Sequence, residues 1–115
     1  MQYMILIYAA NAASPVYGTP AFEAMMSGYF AVTAEMKAAG VYKSGDGLQD
    51  THTATSLRIR DGKTETMDGP FAETKETLGG YYLIDVADLD AALHWAGKIP
   101  TAHYGTVELR PISVY

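Results

Sequence analysis

The residues best suited to chemistry stand together in the middle of the chain. Four ionisable side chains fall within nine residues, those of Asp68, Glu73, Lys75 and Glu76. A turn is predicted at Gly69-Pro70, because proline fixes its own φ and biases the preceding residue away from the helical region. Loops of this kind often carry function when a rigid scaffold holds them. We therefore place the candidate functional site in this loop.

Carboxylates give the loop its acid–base chemistry. Asp68 is the first candidate for a catalytic acid, and Glu23, on the first helix, is a weaker candidate for its partner. When two carboxylates share a site, one can be kept protonated by the charge of the other. The alternative, which we favour, is structural: Asp68 accepts hydrogen bonds from the following backbone and fixes the Gly69-Pro70 turn.

The remainder of the loop offers groups that could hold a ligand. We predict that Lys75 and backbone N–H groups bind a small polar or aromatic molecule, with further contacts from Pro70, Phe71, Glu73 and Thr74. The structural alternatives are that Phe71 plugs the core and that Glu73–Glu76 is a solvated loop or a single helical turn. The binding and structural interpretations are compatible.

Other motifs do not indicate a metal or a cofactor. The three histidines, His52, His94 and His103, lack the spacing of a metal motif, and the chain has no cysteine. We therefore expect no metal site and no cofactor. Gly45-Asp46-Gly47 resembles a phosphate loop only superficially, since no lysine and no helix follow it, and we expect an exposed turn there.

Composition limits the classes of partner. The 115 residues form one expected domain, 1–115, with 49% hydrophobic and 18% charged residues. A net charge of −5 argues against nucleic acid and against an anionic membrane surface. The apolar start Met1–Tyr8 is too short to span a bilayer and lacks the positive flank of a signal peptide. With no cysteine to form disulfides, we expect a cytoplasmic protein.

Periodicity predicts the elements that position the loop. Strands are expected at Tyr3–Tyr8, Val41–Ser44, Thr53–Arg60, Lys63–Met67, Gly79–Val86 and Thr106–Pro111, with helices from Thr19-Pro20 to Gly40 and from Asp88 to Gly97. The second helix is expected to bury Leu89, Ala92, Leu93 and Ala96. Asp61-Gly62 predicts a two-residue hairpin turn, which places Arg58 opposite Glu65.

This order of elements predicts a ferredoxin-like β-α-β-β-α-β sandwich with an extra hairpin, in the α+β class. Both helices of such a fold cover the same face of the sheet. Tyr3–Tyr8 and Tyr81–Ile84 are nevertheless apolar on both faces, so we expect a homodimer packed through the uncovered sheet face. The alternative is that the long segment Val41–Thr53 folds over that face within one chain.

The central motif also resembles that of a known family. The run Asp68-Gly69-Pro70-Phe71-Ala72-Glu73-Thr74-Lys75-Glu76, followed by Leu78-Gly79-Gly80-Tyr81-Tyr82, is similar to the signature of the YCII-related family in its DGPF-domain branch. Matching context covers nearly the whole chain: Met4–Tyr8, Ala39-Gly40, Arg60-Asp61-Gly62, Asp85–Ala92 and Val107–Pro111. The resemblance implies a dimeric α+β barrel. It implies little about activity, since some members resemble small enzymes and others stand beside transcription factors.

The sequence departs from the family at one position. YCII-related proteins outside this branch are thought to use a histidine–aspartate pair in a cleft, with the histidine near the start of the first helix. Here that helix carries Phe22, Glu23, Met25 and Met26, and no histidine precedes His52. Two functions therefore stay open. One is a small-molecule binder or weak lyase/isomerase-like enzyme with its site at the Asp68–Glu76 loop. The other is a non-catalytic dimeric interaction or regulatory protein, linked to transcription regulation.

Overall fold

The chain forms a four-stranded antiparallel sheet, two helices and a separate two-stranded hairpin. The computed structural model describes residues 1–115. Its strands and helices are β1 (Gln2–Ala9), α1 (Pro20–Ala38), β2 (Tyr42–Gly47), β3 (Thr55–Arg60), β4 (Lys63–Asp68), β5 (Thr77–Asp85), α2 (Leu89–Ala96) and β6 (Thr106–Pro111). Short 3-10 turns lie at Asn11–Ala13, Thr51–Thr53 and Pro100–His103. Neither helix is long and apolar enough to cross a membrane.

The spatial order of the sheet is β2-β5-β1-β6, and the β3–β4 hairpin is a sheet of its own. β1 lies in the centre, antiparallel to both β5 and β6, and β2 forms one edge against β5. Each helix connects two strands that are not neighbours, which is the split β-α-β arrangement of the ferredoxin-like plan. The predicted α+β, ferredoxin-like fold with an extra hairpin is confirmed.

The helices begin where the sequence predicts. The Thr19 hydroxyl accepts a hydrogen bond from the Phe22 N–H at 3.3 Å and caps α1. The Asp88 carboxylate accepts from the Ala91 N–H at 2.9 Å and caps α2. Such caps satisfy backbone donors that the first helical turn leaves unpaired. At Gly28, α1 packs closely against Pro100, because a Cβ built on this glycine would stand 2.8 Å from the Pro100 ring.

The core lies between the helices and one face of the sheet. Tyr3, Ile5 and Ile84 from the strands meet Val32 and Met36 from α1, all of them buried. Strand side chains alternate between faces, so the intervening residues point to the opposite face. These residues, among them Met4, Leu6 and Leu83, are only partly buried. The two-faced apolar pattern thus corresponds to one face buried within the chain and one that is partly exposed.

The hairpin stands out from the body of the molecule. Asp61 and Gly62 both have positive φ, 53° and 72°, as a two-residue hairpin turn requires. Arg58 lies opposite Glu65, and its Nε donates to the carboxylate at 2.6 Å, so the predicted register is confirmed. The radius of gyration is 16.0 Å, above the roughly 13 Å of a compact chain of this length. The projecting hairpin accounts for the difference.

Two local predictions and one alternative are wrong. Gly45–Gly47 is not an exposed turn but the end of β2, paired with β5. The segment Val41–Thr53 does not cover the open sheet face, because its first half is itself an edge strand. In α2 the buried residues are Ala92 and Ala96, whereas Leu89 and Leu93 are 51% and 54% exposed. This eight-residue helix packs through its small side chains, which places the leucines on its outer flank.

Candidate functional site

The turn at the start of the Asp68–Glu76 loop is held by backbone and by a serine. Gly69 has φ +92°, a conformation that favours glycine. Its N–H donates to the Ala54 carbonyl at 2.6 Å, and its carbonyl accepts from the Ser56 hydroxyl at 2.8 Å. The Asp68 side chain is exposed and makes no hydrogen bond. The expectation that Asp68 itself fixes the turn is therefore wrong.

The rest of the loop is open to solvent. Pro70, Phe71, Glu73, Thr74 and Lys75 are all exposed. Phe71 is 85% exposed, so its interpretation as a core plug is wrong. The loop forms no helical turn, and within it the Thr74 hydroxyl donates to the Glu76 carbonyl at 2.5 Å.

The end of the loop is tied to the sheet. The Glu76 carboxylate accepts from the Thr106 hydroxyl at 2.7 Å, and Thr77 then begins β5. Glu23 lies in the first turn of α1, also exposed. No hydrogen bond joins it to Asp68, and neither carboxylate lines the main cleft of the molecule. Their roles as an acid pair stay a prediction.

The main cleft has a volume of about 670 Å³ and lies between α1 and the sheet. The filled core occupies one end of the helix–sheet layer, and the cleft occupies the other. Its floor is open because the helix-facing positions of β2 and β5 there are glycines, Gly45, Gly47 and Gly80. A Cβ on Gly45 would stand 2.5 Å from the Tyr82 ring. Gly79 and Gly80 of the sequence motif both line the cleft.

The walls of the cleft are largely apolar. α1 contributes Phe22, Met25, Met26 and Phe30, and β1 contributes Ile7. Thioether and aromatic side chains adapt well to ligands of irregular shape. An enclosed apolar wall with a few polar groups is typical of small-molecule sites.

The less exposed polar side chains of the cleft are hydroxyls, whereas the amides of Asn11 and Gln49 line it at exposed positions. The Tyr29 hydroxyl lies 2.5 Å from the Thr101 hydroxyl, which in turn lies 3.2 Å from that of Tyr104. The Tyr82 hydroxyl lies 2.7 Å from that of Thr33. Burial raises the pKa of Tyr29 and of Tyr82, because desolvation disfavours the phenolate. Both phenols are therefore neutral at physiological pH.

Charged groups stand at the mouth of the cleft. Lys37 and Asp50 line it and are exposed. Asp46 also borders the cleft, but it pairs with Tyr81 between the helix-facing residues Gly45 and Gly47, so its side chain lies on the open sheet face. The Tyr81 hydroxyl donates to the Asp46 carboxylate at 3.1 Å, and this hydrogen bond raises the pKa of Tyr81. No three histidine or carboxylate side chains converge as a metal site would require.

Sequence reasoning missed most of this site. The candidate site was placed in the charged loop, although Tyr29 and Thr33 place two hydroxyls one turn apart on α1. Polar residues on an otherwise apolar helical stripe were a usable signal. Thr101 and Tyr104 carried no such signal, because only the tertiary fold brings their turn against α1.

Comparison with known proteins agrees with this architecture. The YCII-related domain matches residues 1–115. An uncharacterised protein of Rhizobium meliloti (strain 1021) is 38% identical over 117 residues, covering 100% of this chain and 94% of the relative. Because both matches extend over the whole chain, this protein belongs to the YCII-related family.

Proposed function

We propose that this protein is a homodimer that binds a small molecule in the cleft between α1 and the sheet. The observation that supports this most directly is the cleft itself, with about 670 Å³ of space, apolar walls and a cluster of buried hydroxyls. Pockets of roughly 300–1,000 Å³ with these features are the usual sites for small ligands. The glycine floor gives a second argument, since Gly45, Gly47 and Gly80 add no side chain to the cleft and a Cβ on Gly47 would meet nothing within 4 Å.

The Asp68–Glu76 loop contributes to this proposal through its end. Thr77 and Leu78, the next residues, line the cleft, whereas the loop residues themselves do not. A ligand held in the cleft could extend towards Lys75 past this edge. The nine-residue motif also supports membership of the DGPF-domain branch within the family.

Binding has more support here than catalysis. A lyase or isomerase needs an acid or base within hydrogen-bond reach of the reacting group. The two predicted acids, Asp68 and Glu23, do not line the cleft, and the carboxylate that does, that of Asp50, stands at the mouth. We therefore propose a binding protein as the primary function.

Homodimerisation is supported by the open sheet face. Met4, Leu6 and Leu83 form an apolar centre there, and the ion pair of Arg110 with Glu108 lies beside it on β6. Apolar patches with a polar rim are typical of protein interfaces. The molecule is only 19 Å thick, as expected for two layers with one sheet face open.

A test of this assembly compares two Leu→Glu variants by analytical ultracentrifugation. Wild type should sediment at about twice the 12.4 kDa chain mass. Leu83→Glu should be monomeric at micromolar concentration, because it places a charge in the apolar face. Leu93→Glu, on the exposed flank of α2, should stay dimeric. A monomeric wild type would exclude the sheet-face dimer.

A second candidate function is that of an interaction module, which the hairpin supports. Leu57, Ile59 and Phe71 are exposed on it or beside it, at 63%, 59% and 85%. Exposed apolar side chains on a projecting hairpin are typical of a surface that binds another protein. For a regulatory protein, that partner would be a transcription factor. This function would be preferred if a cleft ligand could not be found.

The binding proposal is tested by a thermal-shift screen of a fragment library. Fragments that raise the melting temperature of wild type should lose their effect on Met26→Trp, which places a larger side chain in the cleft wall. Met67→Trp, on the hairpin, is the matched control and should respond as wild type does. The proposal fails if stabilising fragments act equally on Met26→Trp, or if the library yields none.

A further inference from the structure

The hydrogens of the cleft hydroxyls have defined directions. Tyr104 donates to the Met25 sulfur at 2.9 Å, because a thioether can only accept. The Tyr104 oxygen then accepts from the Thr101 hydroxyl, which has a single hydrogen to give. It follows that Tyr29 donates to the Thr101 oxygen. Each hydroxyl thus donates to the next group, from Tyr29 through Thr101 and Tyr104 to the Met25 sulfur. The Tyr29 oxygen accepts from none of these groups.

The hydrogen-bond directions of a second pair of hydroxyls, those of Thr33 and Tyr82, are also defined. The Thr33 hydroxyl donates to the backbone carbonyl of Tyr29 at 2.8 Å, as hydroxyls on helices often do. Thr33 has no second hydrogen, so the 2.7 Å contact with Tyr82 is a donation from the Tyr82 hydroxyl. The Tyr82 oxygen is then left as an acceptor.

Both cleft phenols have thus used their only hydrogen within the protein. Their oxygens retain lone pairs, and each can accept a hydrogen bond from a ligand. Both phenols belong to residues that line the cleft.

Resting on the proposed binding function, we propose that the ligand is an uncharged, largely apolar alcohol or phenol whose hydroxyl donates to Tyr82 or Tyr29. A carboxylate or phosphate presents only acceptors, and would face phenol oxygens with no hydrogen to offer. Such an anion would also approach a chain that carries a net charge of −5, and at the mouth it would meet Lys37 beside Asp50 rather than a cluster of cations.

The walls and depth of the cleft favour an uncharged molecule over an ammonium ion as well. No carboxylate is buried beside the phenols, and Asp50, at the mouth, is exposed. A buried charge without a paired counter-charge is strongly disfavoured. The apolar walls, with Phe22, Met25 and Met26, match a hydrocarbon or aromatic body instead.

Three naphthalenes of similar size test the donor requirement by isothermal titration calorimetry. 2-Naphthol carries a hydroxyl donor, 2-methoxynaphthalene carries the same oxygen without a hydrogen, and 2-naphthoate carries an anion. A net hydrogen bond corresponds to roughly a twofold to tenfold difference in affinity. Wild type should bind 2-naphthol at least threefold more tightly than the methyl ether, and 2-naphthoate most weakly.

Two variants locate the acceptor. Tyr82→Phe and Tyr29→Phe should each still bind 2-methoxynaphthalene, which shows that the cleft is intact. In at least one of them the preference for 2-naphthol should disappear. Tyr115→Phe, on the exposed last residue, is the matched control and should keep the wild-type preference.

The outcomes separate this inference from the binding function on which it rests. Equal affinity for 2-naphthol and its methyl ether, or an unchanged preference in both cleft variants, would overturn the donor requirement while leaving a binding cleft. Tightest binding of 2-naphthoate would overturn the ligand class. Failure of all three probes would also overturn it, and the fragment screen with Met26→Trp would decide separately whether the cleft binds small molecules.

Discussion

The hydroxyl of Tyr29 lies 2.5 Å from that of Thr101, which joins α1 to a 3-10 turn 72 residues further along the chain. Thr101 is 5% exposed, so this contact is made away from water. The same 3-10 turn packs against Gly28, where the absence of a side chain leaves room for the Pro100 ring. One small region of tertiary contact therefore fixes both the position of α1 and the polar end of the cleft.

Removal of the Thr101 hydroxyl should be costly. Thr101→Val keeps the shape of the side chain but leaves the Tyr29 hydroxyl without its partner and removes the hydrogen bond that Tyr104 accepts. We expect a loss of about 1–3 kcal/mol of unfolding free energy, measured in urea. Thr66→Val on the exposed strand β4 is the control, with an expected change within about 0.5 kcal/mol. Equal effects of the two variants would contradict a structural role for this contact.

The glycines of the cleft floor should differ sharply in how much stability the protein loses when each is replaced by alanine. In Gly45→Ala the new methyl would stand 2.5 Å from the Tyr82 ring and 3.0 Å from the Tyr81 carbonyl, so we expect a loss of about 1–3 kcal/mol. Gly47→Ala, two residues further on, meets nothing within 4 Å and should be close to neutral. Thermal denaturation of both proteins is the measurement. A neutral Gly45→Ala would mean that β2 and β5 can separate without cost.

The turn before Pro70 should depend on Ser56 more than on Asp68. Asp68 is exposed and makes no hydrogen bond, so Asp68→Ala should change stability by less than about 0.5 kcal/mol. Ser56→Ala loses the hydrogen bond to the Gly69 carbonyl and should cost about 0.5–1.5 kcal/mol. Denaturant melts decide between them. If Asp68→Ala is the more damaging variant, the carboxylate holds the turn after all.

Much of the fold was accessible from the sequence, because the signals were local. The Thr19 and Asp88 caps, the Asp61-Gly62 turn and the register of Arg58 with Glu65 each follow from residues close in the chain. α2 was harder to interpret. Its leucines and alanines share one helical period, and only the closeness of packing decides which of them is buried.

The candidate site was less accessible, for a physical reason. The functional site was predicted in the charged Asp68–Glu76 loop because ionisable residues are easily recognised in a sequence. The cleft instead depends on the absence of side chains at Gly45, Gly47 and Gly80, and on hydroxyls brought together from α1, β5 and a distant turn. A long-range arrangement of neutral groups leaves little trace in a single sequence.

Acid should weaken the fold through the N-terminus. The Met1 ammonium, 2.9 Å from the Asp85 carboxylate, lowers the pKa of Asp85 below its ordinary 3.8 through a hydrogen bond and charge attraction. A carboxylate with a lowered folded pKa contributes stability above the unfolded value, and this is lost as the pH falls through the folded pKa.

The test of this pair is a comparison with Asp85→Asn across pH. Wild type should be the more stable protein at pH 6, and the difference should shrink as the pH falls below 3.8 and through the lowered folded pKa of Asp85, where the carboxylate is protonated. Urea melts at a series of pH values give the comparison. Because the pair is exposed, 1 M salt should also reduce the difference at pH 6. A difference that persisted unchanged at low pH would exclude the ion pair as its source.

The central claim, that the cleft between α1 and the sheet is the binding site, is tested most directly by amide NMR during titration with 2-naphthol. The largest chemical-shift changes should fall on Tyr29, Thr33, Gly45, Gly80 and Tyr82, and they should saturate with one common dissociation constant. Shifts confined to Asp68–Glu76, or to Met4 and Leu83 on the open sheet face, would contradict the account.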